Sequence, residues 1–140
     1  MGQYHLLVNV DKREYLDPRS ISLGAKQWEH STHPQFPMVG SIADAMYLLT
    51  MTAPARGGGD MPATEASGRW AGDRVMVVGD YTDDSDLPAH YMGSELYNHA
   101  RSGYTEIGDE VREAFATVYG IRWEETSYGW DRLALDQAVA

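Results

Sequence analysis

The uninterrupted apolar run VMVV at positions 75–78 is the strongest constraint that this sequence places on its fold. The run is short and rich in valine, so it predicts a strand from Arg74 to Gly79. Because no polar residue breaks the run, both faces of the strand are predicted to be buried, as in the centre of a sheet. Asp80 then follows the carboxyl end of that strand, where ligands bind in open α/β sheets.

Shorter patterns predict an N-terminal β-hairpin and two to three helices. The hairpin joins an apolar segment from Tyr4 to Val10 with a second strand from Glu14 to Leu16. One helix is predicted over 42–52, because Ser41 and Asp44 have the spacing of a capping box. A second is predicted over 109–119, with Gly120 as its C-cap.

The remaining segments are assigned more coarsely. A further helix is predicted around Leu96 and Ala100 and ends at Gly103. Residues 17–40 are predicted to be largely loop, and the last twenty residues, with Trp123 and Trp130, a strand or hairpin. Together these elements predict an α+β fold with a small mixed or antiparallel sheet.

Composition places the chain among ordinary globular proteins. Its 140 residues are 43% hydrophobic and 23% charged, which predicts one domain over residues 1–140. The absence of cysteine excludes disulfides, thiolate metal sites and a cysteine nucleophile. The N-terminus lacks a basic segment followed by an apolar stretch, and its apolar run is too short to cross a bilayer. We therefore expect a cytoplasmic protein without membrane contact.

The net charge of -10 is concentrated in the second half of the chain. Residues 1–70 carry seven acids and six bases, whereas residues 71–140 carry fourteen acids and five bases. Lysine and arginine supply most contacts to phosphate groups. Because these residues are few in the second half, it is not expected to bind nucleic acid directly. The same charge favours a basic protein partner.

The acidic segment GDYTDDSD at positions 79–86 is a candidate metal site. Mg²⁺, Mn²⁺ and Ca²⁺ prefer oxygen ligands, and a nearby imidazole would complete a mixed site. The candidate ligands are Asp80, Asp83, Asp84 and His90. The string from Gly79 to Asp83 resembles one block of the calcineurin-like metallophosphoesterases, but their D-x-H and G-N-H-D/E blocks are missing. The alternative is a solvated loop in which these aspartates point into water.

The string RGGGD at positions 56–60 is a candidate anion-binding loop, because consecutive glycines expose backbone N–H groups. The lysine of a P-loop and the Rossmann glycine spacing are both missing, so a flexible connector is the alternative. A ligand-binding module here would use Arg56, Gly57, Gly58, Gly59, Asp60 and Trp70.

Several stretches resemble a group of short bacterial and phage proteins of no known activity. These stretches are MGQYHLLVNVDKREYLDP, RGGGD, RWAGDRVMVVGDY and SGYTEIGDEVREAF. The resemblance implies a self-contained accessory protein, and it implies no catalytic residue.

Three functions follow as hypotheses. The first is a non-catalytic interaction protein whose acidic second half binds a basic partner. The second is a metal-assisted phosphoester hydrolase that uses the acidic loop, and the third is a nucleotide or small-ligand module that uses the RGGGD loop. No catalytic residues are predicted, since a G-x-S-x-G elbow is also missing.

Overall fold

The computed structural model describes residues 3–29, 33–36, 39–87 and 95–133, without the side chain of Asp84. It confirms the α+β class, the N-terminal hairpin and the three helices. The strands are β1 (His5–Asn9), β2 (Glu14–Leu16), β3 (Val75–Gly79), β4 (Thr105–Glu106), β5 (Trp123–Thr126) and β6 (Gly129–Arg132). The helices are α1 (Ile42–Thr50), α2 (Leu96–Gly103) and α3 (Gly108–Tyr119), with 3₁₀ turns at Pro18–Ile21 and Asp84–Asp86.

Four strands form a mixed sheet in the order β3-β1-β2-β4. Strand β1 pairs antiparallel with β2 and β3, and β2 pairs parallel with β4. Every residue of β1 is buried. Leu7 belongs to a core cluster that includes residues of α1 and α3, whereas Leu6 and Val8 pack with Tyr97 and Ala100 of α2. Because successive side chains of a strand point to opposite faces, helices cover both faces of β1.

Local sequence signals set the ends of α1 and α3. The Ser41 hydroxyl accepts from the Asp44 N–H at 3.2 Å, and the Asp44 carboxylate accepts from the Ser41 N–H at 3.1 Å. This reciprocal pair is the predicted capping box. At the other helix, Gly120 has a φ of 70° and donates its N–H to carbonyls of the last turn. Both predicted caps are therefore confirmed.

The prediction that β3 is a central strand is wrong. Residues 75–79 do form a strand, but it lies at the end of the described sheet and pairs there with β1. Val78 is 1% exposed and packs in the α2 cluster, whereas Val77 is 57% exposed. An apolar run identifies a strand, but the number of neighbours depends on long-range pairing, and the fully buried strand is β1.

This difference gives a matched pair of stability predictions within β3. Val78→Ala is expected to lower the free energy of unfolding by roughly 2 kcal/mol, because it removes two buried methyl groups and leaves a cavity. Val77→Ala is expected to change it by less than about 0.7 kcal/mol, because that side chain already faces water. Urea unfolding of both variants checks the ranking, and equal losses would contradict the edge position of β3.

Among the described residues, no helix combines the length and apolar character needed to cross a membrane.

Candidate functional site

A half-buried carboxylate positions the start of α3. Glu106 accepts hydrogen bonds from the Gly108 N–H at 2.7 Å, the Asp17 N–H at 2.9 Å and the Ser20 hydroxyl at 3.0 Å. Burial raises the pKa of Glu106, and these donors oppose that shift. The carboxylate thereby joins β4, the first turn of α3 and the 3₁₀ turn Pro18–Ile21.

The β5–β6 hairpin lies against α3. The Trp123 indole N–H donates to the Arg112 carbonyl at 3.0 Å. In the hairpin register, Trp123 lies opposite Arg132 and Glu125 lies opposite Trp130. Side chains directly opposite one another share a face, and so do alternate residues along a strand. The two tryptophans therefore lie on the same face of the hairpin.

Arg132 links the hairpin to the rest of the fold through buried backbone carbonyls. It is 6% exposed and donates to the Ile21 carbonyl at 3.0 Å and to the Gly40 carbonyl. Its guanidinium also lies 5.4–5.6 Å from the ring centroids of Phe36, Phe115 and Trp123. Burial lowers the pKa of Arg132 to about 10, so the side chain stays charged at neutral pH.

Arg112 of α3 is the second buried arginine, at 8% exposure. It donates to the Ser20 carbonyl at 2.6 Å and forms an ion pair with Asp109, and its guanidinium lies 4.8 Å from the Trp130 ring centroid. Burial lowers the pKa of Arg112, and the Asp109 carboxylate opposes this shift. The charge of Arg112 is thus engaged within the molecule.

A groove runs between α3 and the β5–β6 hairpin. It encloses about 290 Å³ and is lined by Asp109, Arg112, Glu113, Ala116, Trp123 and Trp130. The four helical residues have the spacing i, i+3, i+4 and i+7, which places them along one face of α3. Both tryptophans are half-buried, so part of each ring remains accessible. We refer to this feature as the α3–hairpin groove.

The acidic segment at positions 79–86 is held by its own hydrogen bonds. Asp80 accepts from the Tyr4 N–H at 3.0 Å. Asp83 accepts from the Ser85 hydroxyl at 2.6 Å and from the Ser85 N–H, and these bonds lower the pKa of Asp83. Asp80, Asp83 and Asp86 are all exposed, in agreement with a solvated loop.

The metal-site hypothesis is only partly covered by the structure, because His90 and the side chain of Asp84 lie outside the described residues. Among the side chains that are described, no three histidine, aspartate or glutamate residues are grouped closely enough to hold a metal ion. Asp80 and Asp83 lie on the surface, and their carboxylates accept hydrogen bonds from Tyr4 and Ser85.

The RGGGD loop is exposed along its whole length from Arg56 to Asp60. Its backbone donors meet a carboxylate of the same loop: Asp60 accepts from the Arg56 N–H at 2.9 Å and from the Gly57 N–H at 2.8 Å. Gly58 and Gly59 have open space around them. The predicted anion-binding donors at 56 and 57 are therefore engaged by the loop's own anion.

Trp70, the predicted aromatic member of that loop site, is fully buried in the core. Its indole N–H donates to Glu14 at 2.9 Å, and Arg69 donates two further bonds to the same carboxylate. Burial acts to raise the pKa of Glu14, but the bonds from Arg69 and Trp70 outweigh it and the pKa is lowered. The ring of Trp70 is a core element and offers no exposed face for a ligand.

Sequence reasoning missed the α3–hairpin groove. It predicted a helix over 109–119 and a strand or hairpin that contains Trp123 and Trp130, but it did not consider a groove between the two. The signal was present in the spacing of Asp109, Arg112, Glu113 and Ala116 ahead of a hairpin with one tryptophan on each strand. The burial of Arg112 and Arg132 has no comparable local signal.

Comparison of this chain with protein families, with curated proteins and with solved structures finds no match.

Proposed function

We propose that this protein is a non-catalytic interaction protein, of the phage-related accessory type that the resemblance implies, and that its acidic second half binds a basic protein partner. The burial of Arg112 and Arg132 is the observation that carries this proposal. The sequence assigns five bases to the second half, but these two are withdrawn from the surface. Among the described side chains of this half, the exposed acids outnumber the exposed bases by nine to three, whereas all acids and bases there number twelve and five.

The exposed charges of the second half support this view. Among the described residues, the exposed bases there are Arg74, Arg101 and Arg122, and Arg74 forms an ion pair with Asp11 at 2.6 Å. The exposed acids outnumber them: Asp80, Asp83, Asp86, Glu95, Asp109, Glu113, Glu124, Glu125 and Asp131. A surface of one sign attracts partners of the opposite sign and repels nucleic acid.

Five of these acids belong to α3 and the β5–β6 hairpin: Asp109, Glu113, Glu124, Glu125 and Asp131. Asp109 and Glu113 line the α3–hairpin groove and Glu125 shares the hairpin face of the two tryptophans, whereas Glu124 and Asp131 lie on the other face of the hairpin. Rim charges of this kind mainly raise the association rate and select the partner. Binding should accordingly weaken with salt, because ions screen exposed charges over about 8–10 Å at 0.1–0.15 M.

The test compares two variants that remove the same charge. Glu124→Gln/Glu125→Gln removes two exposed acids of the hairpin, and Glu29→Gln/Glu65→Gln removes two exposed acids of the first half. Each tagged protein is used to capture partners from a bacterial lysate at about 0.05 M and about 0.3 M salt. We expect to capture basic proteins that elute with salt. The captured amount should be several-fold lower with the hairpin variant and unchanged with the first-half variant.

Two outcomes would overturn the proposal. One is that all captured proteins are insensitive to salt, which would indicate contacts that do not depend on exposed charge. The other is equal reduction by both double variants, because net charge rather than the acidic second half would then govern binding.

A further inference from the structure

The α3–hairpin groove has an apolar interior and an acidic rim. Ala116 and the two indole rings supply apolar surface within it, while the Asp109 side chain is 87% exposed at its edge and Glu113 is also exposed. Apolar surface surrounded by charged residues is the usual pattern of a protein-binding patch, with an anchor at the centre and a polar rim.

A cation is already in place at the Trp130 side of the groove. The Arg112 guanidinium lies over the Trp130 ring, pairs with the Asp109 carboxylate and donates to the Ser20 carbonyl. A second cation would find the position over the Trp130 ring already occupied by this guanidinium. The interior therefore suits a neutral apolar side chain, whereas the rim suits basic residues on either side of it.

The size of the groove agrees with a side chain as occupant. Apolar cavities of about 150 Å³ hold one benzene ring, and pockets for small organic ligands range over about 300–1,000 Å³. At about 290 Å³ and open to solvent, the groove has room for one or two side chains and is small for an independent small-molecule site.

From these observations we infer that the α3–hairpin groove binds a basic segment of the partner by taking up one apolar side chain of that segment between Trp123 and Trp130. The basic residues that flank this side chain then face Asp109 and Glu113 of α3 and Glu125, which shares the hairpin face of the two tryptophans. The inference rests on the proposed function and goes beyond it by naming the anchor and its position.

Three labelled peptides test the chemistry of the occupant by fluorescence anisotropy at low salt. The first has one leucine flanked on each side by three lysine or arginine residues, the second has alanine in place of leucine, and the third has glutamine in place of every basic residue. We expect the first to bind roughly tenfold or more tightly than either of the others, because it alone supplies both anchor and charge.

A matched pair of variants tests the position. Ala116→Gln places a neutral side chain in the groove and keeps the helix, since glutamine is a good helix former. Thr117→Gln makes the same kind of change at the next exposed residue of α3, which does not line the groove. We expect Ala116→Gln to weaken binding of the leucine peptide roughly tenfold and Thr117→Gln to leave its affinity unchanged.

The outcomes separate this inference from the proposed function. If the leucine and alanine peptides bind equally and Ala116→Gln has no effect, the acidic surface binds basic chains without an anchor, and the groove inference fails alone. If a second copy of the chain fills the groove, sedimentation will show a dimer, and Ala116→Gln will restore the monomer. That result would also overturn the groove inference. The proposed function would instead fail if capture is insensitive to salt or if both double variants reduce it equally.

Discussion

Replacing Arg132 with methionine is expected to lower the free energy of unfolding by about 3 kcal/mol, although methionine retains much of the stem. The carbonyls of Ile21 and Gly40 stay buried and lose charge-assisted donors. The apolar replacement also removes the desolvation of a buried charge, which limits the loss. Urea unfolding followed by tryptophan fluorescence measures the change.

Arg122→Met is the matched control for this prediction. Arg122 is exposed and directly precedes β5, so its replacement is expected to change stability by less than about 0.5 kcal/mol. An Arg132→Met protein as stable as its parent would mean that the desolvation of the charge outweighs its hydrogen bonds. In that case Arg132 would not be what holds the hairpin against the 3₁₀ turn and residue 40.

The second large effect is expected at Trp70. Trp70→Ala is expected to lower the free energy of unfolding by about 4 kcal/mol, because it empties a large, fully buried volume and removes a hydrogen bond to Glu14. Trp70→Phe keeps most of the ring volume and loses only the indole donor, so a smaller loss of about 1–2 kcal/mol is expected. A loss for Trp70→Ala near that of Trp70→Phe would contradict the core position of the ring.

The Trp70→Phe variant also carries a pH signature. The folded-state pKa of Glu14 is lowered, so its bonds contribute stability that is fully present above the unfolded pKa of about 4.3 and is lost as the pH falls through the folded value. Without the indole donor of Trp70, the folded-state pKa of Glu14 is lowered less. The stability of Trp70→Phe is therefore expected to fall less steeply than that of the parent on acidification below about pH 4.3, measured by urea unfolding across pH.

Local chemistry explains why part of the fold could be predicted from the sequence. The capping box of Ser41 and Asp44 and the C-cap of Gly120 act within a few residues, and both are present in the structure. The position of a strand within its sheet, in contrast, depends on pairing with segments that are distant in the sequence. The run at 75–78 and the run in β1 are similarly apolar, yet β1 has neighbours on both sides and β3 was wrongly predicted to be central.

The same contrast holds for the candidate site. The exposure of Asp83 and Asp86 could be predicted, because four carboxylates within seven residues repel one another without a cation. The burial of Arg132 depends on carbonyls at residues 21 and 40, which lie 111 and 92 positions away in the chain. Composition counts such an arginine as surface charge, although its side chain is buried. The groove between α3 and the hairpin was missed because it depends on how these two elements pack together.

The most direct test of the account follows the four tryptophan indole N–H signals by NMR during titration with the leucine-containing basic peptide. Trp123 and Trp130 line the α3–hairpin groove, Trp70 is buried in the core, and Trp28 is 91% exposed in the first half. We predict that the signals of Trp123 and Trp130 shift with the peptide while those of Trp28 and Trp70 stay in place. A titration that moves Trp28 alone, or that moves none of the four while the peptide binds, would contradict the claim that the α3–hairpin face is the interaction surface.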